Sequence, residues 1–164
     1  MTLLMSKRTL LFMLICIALV GLIGCNTDKE TAMKPSPIFY SNDSPMVEVK
    51  GRLGILGPDF IANQVNKYMW HFWGTKEELA LKPFRVEAIN MRMNEKVMAL
   101  VTNSGTPREE HVWEYSGLGG PNNGADAHIP SSLQLPSSGQ WQLNTYLGGK
   151  FFGAIIVDVM EKNL

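Results

Sequence analysis

Three histidines, His71, His111 and His128, are the side chains best suited to metal or proton chemistry. A zinc site takes three or four ligands. The separations here, 40 and 17 residues, match no familiar ligand spacing, so no metal or other cofactor is expected. Asp126, His128 and Ser131 or Ser132 supply the residue types of a nucleophilic triad, but within one short stretch of chain. Triads are assembled by geometry from distant positions, and no G-x-S-x-G elbow is present. Glu77-Glu78 and Glu109-Glu110 read as solvated pairs. Gly117-Leu118-Gly119-Gly120 does not link a strand to a helix, so it is not read as a phosphate loop. No catalytic residue is assigned.

The aromatic run Lys67-Tyr68-Met69-Trp70-His71-Phe72-Trp73 is more informative. On a strand, Tyr68, Trp70 and Phe72 would share one face and Met69, His71 and Trp73 the other. One row belongs in a core. If the second is exposed, Trp73 forms a patch beside Trp113. Exposed aromatic rings stack on sugars or anchor protein partners. Trp73, Trp113 and His128, the last in a long loop, are the candidate ligand-binding residues.

Cys25 is a different kind of reactive residue. Lys7 and Arg8 precede an uninterrupted apolar run from Leu10 to Ile23. That run is shorter than the roughly 20 residues a membrane-spanning helix needs. A basic start, a short apolar stretch and a small-residue exit mark a secretory signal peptide. The exit, Leu22-Ile23-Gly24-Cys25, resembles the lipobox of bacterial lipoproteins. Cleavage before Cys25 would free its thiol for a diacylglyceryl group, and two or more acyl chains anchor stably. Cys16 follows bulky Ile15 inside the apolar run and is expected to leave with residues 1–24.

No cysteine follows Cys25, so the exported part has no disulfide and must be held by packing. Loss of Lys7 and Arg8 turns an even balance of 15 basic and 15 acidic residues slightly acidic. No basic stripe points to nucleic acid.

Any candidate site is positioned by β-structure. Residues 25–45 are the lipidated cysteine and a polar, proline-punctuated tether, with a reach of roughly 25 Å; Ile38-Phe39-Tyr40 could dock. From Met46 the period becomes two, placing Val47, Val49, Gly51, Leu53 and Ile55 on one strand face. Further strands are expected over 67–73, Phe84–Ala88, Lys96–Val101, Val112–Tyr115 and Ser132–Leu135. Gln140–Leu147 and Lys150–Met160 flank Gly148-Gly149, a hairpin turn that needs positive φ. Thr75 and Glu78 fit a capping box for a short helix near 76–81, stopped by Pro83. Ser116–Pro130 is loop material. The expected fold is all-β: an immunoglobulin-like antiparallel β-sandwich of about seven or eight strands over residues 46–164.

The ending, Ser138 to Tyr146 and then Gly149 to Val157, resembles the last hairpin of immunoglobulin-like domains, with Trp141 two residues after Gly139. The whole chain resembles a family of small uncharacterised lipoproteins of Gram-positive bacilli. That resemblance implies a fold and an address but no activity. A weaker one, in fold only, is to bacterial proteinase inhibitors. The expectation is therefore a non-catalytic binding module held by lipid on the outer face of the cell membrane, or on the outer membrane in a diderm. Its partner would be an envelope protein or cell-wall polysaccharide. The alternatives are an extracellular protease inhibitor using the 116–130 loop and, least favoured, an envelope hydrolase or metal-dependent enzyme.

Overall fold

The computed structural model describes residues 34–162 except Asp43 and Lys50, so the signal segment and Cys25 lie outside the described residues. Alternating apolar and polar side chains drive thirteen described strands: β1 Ile38–Ser41, β2 Ser44–Val49, β3 Leu53–Leu56, β4 Phe60–Ile61, β5 Asn66–Phe72, β6 Phe84–Asn90, β7 Glu95–Val97, β8 Leu100–Thr102, β9 Glu110–Val112, β10 Glu114–Tyr115, β11 Ala127–Leu133, β12 Gly139–Leu147 and β13 Lys150–Met160. Sheet 1 runs β1-β2-β3-β5-β11-β8-β9, and sheet 2 runs β10-β6-β12-β13-β4 with β7 also on β6. All pairings are antiparallel except β4 with β13. The two sheets enclose one apolar cluster to make a β-sandwich.

Its centre is aromatic. Tyr68, Trp70 and Phe72 point inward from β5, and Phe84 meets both Trp70 and Phe72 edge-on. Trp141, Leu143, Ile155 and Val157 answer from sheet 2. The two buried indole N–H groups here are paired, as a low-dielectric core requires. The indole N–H of Trp70 donates to Ser131 Oγ at 2.9 Å, and that of Trp141 to the Ser137 carbonyl at 2.9 Å.

The β12–β13 hairpin turns at Gly148 and Gly149, with φ of 55° and 78°, as the paired glycines require. Thr75 caps helix α1 (Lys76–Leu79) with the full capping box, and the helix is shorter than the pattern suggests.

Four elements differ from the sequence expectation. The row Val47 to Ile55 is a hairpin, not one strand: Gly51, at φ 67°, turns β2 back onto β3, pairing Val47 with Ile55 and Val49 with Leu53. The expected strands 96–101 and 112–115 each break in two. Their halves lie in different sheets, with the chain crossing at Met98-Ala99 and at Trp113. The supposed loop end, 127–130, belongs to β11, whose Ala127, Ile129 and Ser131 face inward. Pro130 is accommodated because β8 pairs only with Ser132 and Leu133, leaving one side of β11 free there. The sheet also starts earlier than Met46, because Ile38–Ser41 pairs with β2.

Candidate functional site

The outer face of sheet 2 carries polar and aromatic side chains: Phe151 is exposed, Arg85, Gln142 and Tyr146 are part-exposed, and Glu87 and Asn144 are largely buried among them. Alternation turns Arg85 and Glu87 outward from β6 while Phe84, Val86 and Ala88 enter the core. Register sets three rows across the central strands. Tyr146 stands between Arg85 and Phe151, Asn144 between Glu87 and Ala154, and Gln142 between Ile89 and Ile156.

Glu87 is the hub of this face, with a side chain only 11% exposed. It accepts from Lys96 Nζ at 2.6 Å, from Arg85 Nη2 at 2.7 Å and from the Tyr146 hydroxyl at 3.3 Å. The Lys96 and Arg85 donors hold its carboxyl below the usual carboxylate range, outweighing burial. Glu87 in turn pushes the Arg85 guanidinium up, and burial, then Glu87, pushes the Tyr146 phenol up. Arg85 also reaches Glu114 at 3.4 Å and lies under the Trp113 ring, 4.9 Å from its centroid. Tyr146 and Phe151 meet edge-to-face at 5.7 Å, and Phe151 is 60% exposed. Gln142 Nε2 donates to Asn144 Oδ1 at 2.7 Å.

The face therefore combines ionised groups locked in position, amides and aromatic rings. It can hydrogen-bond hydroxyls and stack on apolar ring faces. A carboxyl kept ionised by two cations holds no proton to give, so Glu87 suits binding better than acid catalysis.

The outer face of sheet 1 is covered. Met69, His71 and Trp73 turn away from the core, but the 119–126 segment folds over His71 and Trp73. Trp73 Nε1 donates to the Gly124 carbonyl at 2.8 Å. Ser41 Oγ donates to the Asn123 carbonyl at 2.6 Å, and the Gly74 N–H to Asp126 Oδ2 at 3.1 Å. Gly124, at φ 77°, fits where a Cβ would lie 2.9 Å from Ser41 Oγ. Beneath this cover His71 is 0% exposed, and Met46 fills the space beside Gly54. Asn123 Nδ2 lies 3.2 Å from His71 Nε2, while His71 Nδ1 is buried without a partner among the described residues. Burial lowers the pKa of His71, and neighbouring His128, its cross-strand partner, lowers it further.

The structure does not bring Trp73, Trp113 and His128 together. Trp73 and His128 share the covered side of sheet 1, with His71 between them. Trp113 stands against Arg85 at sheet 2. The joint patch of Trp73 and Trp113 expected from spacing therefore does not form, because the chain changes sheets at Trp113. His128 Nδ1 is 2.6 Å from the Gly120 carbonyl, and Gly119 bridges to His128. His111 lies on β9 with Nδ1 3.0 Å from the Met98 carbonyl. Among the described residues no three metal-binding side chains gather. Ser131 and His128 point to opposite faces of β11. Ser132 shares the face of His128 four residues along, about 13 Å away at strand rise. Asp126, His128 and these serines thus form no triad.

Sequence reasoning passed over Tyr146, Phe151, Arg85 and Glu87 as site residues. Arg85, Glu87 and Tyr146 stand out of phase with the apolar rows of their strands. Phe151 reads in phase with Ile155, Val157 and Val159, but is turned outward by the β-bulge that pairs Tyr146 with Phe151, leaving Phe152 to enter the core instead. Which outward residues become neighbours depended on the β6–β12–β13 register.

Residues 26–157 match the family model "Domain of unknown function (DUF4871)", and the chain belongs to that family. No curated protein matches it. The fold is similar to an X-ray crystal structure from Bacillus anthracis of a protein provisionally described as a lipoprotein. The TM-score is 0.63 at 20% identity, over 83% of this chain and 92% of that one.

Proposed function

We propose that this protein is an extracytoplasmic lipoprotein, anchored through Cys25, whose immunoglobulin-like sandwich is a non-catalytic binding module for cell-wall polysaccharide. It sits on the outer face of the cell membrane, in the Gram-positive arrangement. Leu22-Ile23-Gly24-Cys25 supports the anchor, as does the fold shared with the Bacillus anthracis protein. The observation that carries the binding reading is the outer face of sheet 2. Trp113, Tyr146 and Phe151 flank Arg85, Glu87, Asn144 and Gln142 on a flat, braced surface. Rings with adjacent fixed donors and acceptors suit sugars better than an apolar protein hot spot, which is more fully desolvated. The protease-inhibitor reading finds less support, since the 119–126 segment it would use is bonded down onto sheet 1.

Two experiments test this reading. Cys25→Ala should move the protein from the membrane to the soluble fraction on cell fractionation; unchanged membrane association would remove the anchor. Wall polysaccharide fragments should quench tryptophan fluorescence saturably through Trp113, and Phe151→Ala with Tyr146→Ala should abolish the response. Equal binding by that double variant would place the contact elsewhere.

A further inference from the structure

The sandwich is open along one side, and the opening is a built cleft. β1, β2 and β3 of sheet 1 and β4 and β13 of sheet 2 bound it, and Ile38 at its rim is 67% exposed. The stretch before β1 straps the gap, since the Ser36 N–H donates to the Ile156 carbonyl and the Ile156 N–H to Ser36 Oγ, both at 2.9 Å. Behind this strap lies a cavity of about 480 Å³ with Ile38, Val47, Ile55, Phe60, Tyr68 and Val157 on its walls. The walls are firm. Phe60 and Tyr68 stack at 4.5 Å, and Gly57 is held where a Cβ would lie 2.3 Å from the Tyr68 ring. The buried Tyr68 hydroxyl, pushed up to about 12 by desolvation, is turned to the Asp59 carbonyl at 3.4 Å.

Charge selects the occupant. Asp59 and Asp158 also line the cleft, and among the described residues no lysine, arginine or histidine does. The parallel register Phe60 to Val159 sets these two aspartates side by side, one residue before the paired positions. Both are exposed, and neither carboxylate has an ion pair or hydrogen bond among the described residues. An apolar slot with two free carboxylates beside it favours a guest with a hydrocarbon body and a cationic head and disfavours an anionic head on the same body.

We propose that this cleft is a second binding site, for a small single-chain amphiphile with a cationic amine head. The tail lies between β2–β3 and β4–β13, and the head sits at Asp59 and Asp158. The slot lies at the edge of the sandwich, away from the Tyr146–Phe151 row, although Asp158 itself stands on the outer face of sheet 2 opposite Gln140; the proposal does not depend on the polysaccharide reading.

The test uses the chain from residue 26 onward, which contains the whole compact unit and its core. Decyltrimethylammonium, decanoate and decanol, each below its micellar or solubility limit, are titrated by calorimetry. The ammonium compound should bind once per chain with a negative heat-capacity change, the mark of apolar burial. It should bind about tenfold more tightly than decanoate, the scale of two partly screened carboxylate contacts. Decanol should fall between them. Asp59→Asn with Asp158→Asn, both at exposed positions, should bring the three probes within about threefold of one another. Val47→Phe, which fills the slot, should weaken all three while Phe151→Ala leaves them unchanged. Absence of saturable binding, preference for decanoate, indifference to the aspartate changes or indifference to Val47→Phe would each overturn the proposal.

Discussion

The outer faces of the two sheets start from similar materials and end differently. Each carries aromatic side chains and titratable groups turned away from the shared core. On sheet 1 the protein supplies its own cover: the 119–126 segment lies over His71 and Trp73 and satisfies the indole through the Gly124 carbonyl. On sheet 2 Phe151 is exposed and Tyr146 part-exposed, and the charges satisfy one another through Glu87. The difference separates structural aromatics from available ones. Trp73 is occupied by the fold, whereas Phe151 has a surface to spend on a ligand.

Removing the cover's main anchor should have the largest effect. Trp73→Ala deletes a half-buried ring and its bond to Gly124, and should cost about 2–3 kcal/mol, below the range for fully buried tryptophans. The denaturant midpoint should fall at an unchanged slope, and amide exchange should rise first in 119–126. A loss confined to sheet 2 would reverse the comparison.

Glu87→Gln should cost less, about 1–2 kcal/mol, because the amide loses the charge and keeps only one of the two acceptor oxygens that Arg85 and Lys96 share on a part-exposed face. The sign with pH follows from the lowered carboxyl. Its contribution is fully present above the ordinary carboxylate pKa and is lost as pH falls through the lower folded value. Urea titrations below about pH 4.5 should therefore show less acid loss in Glu87→Gln than in the parent.

His71 gives a gentler effect in a different window. Its folded pKa is lowered by burial, so the unfolded chain takes up the proton first as pH falls below about 6.5. Stability should decline from that point until the folded ring also titrates. His71→Asn should flatten this part of the profile. An equal slope in the variant would assign the titration to another group.

Much of this architecture was legible in the chain. Period-two alternation marks β5, β6, β12 and β13, and Gly148-Gly149 marks the hairpin between the last two. The misses share a cause: parity survives events that change the topology. A turn centred on Gly51 keeps Val47, Val49, Leu53 and Ile55 in phase, so a hairpin reads as one strand. The crossings at Met98-Ala99 and Trp113 occur inside short runs, where local pattern carries no sheet identity. The site was less legible. Trp73 and Trp113 are alike in composition and differ only through long-range contacts, with Gly124 in one case and Arg85 in the other.

The smallest effect on stability is expected at Phe151. Phe151→Ala should change the unfolding free energy by less than about 0.5 kcal/mol, since the ring is mostly exposed. Thermal melts of the variant should overlay the parent while polysaccharide binding is lost.

Nuclear magnetic resonance mapping during a titration with wall polysaccharide fragments tests the central claim most directly. Shift changes should gather on Arg85, Trp113, Asn144, Tyr146 and Phe151, with Trp73, Asn123 and His128 unmoved. Shifts centred on the 119–126 cover, or none at saturating ligand, would contradict the assignment of sheet 2 as the binding face.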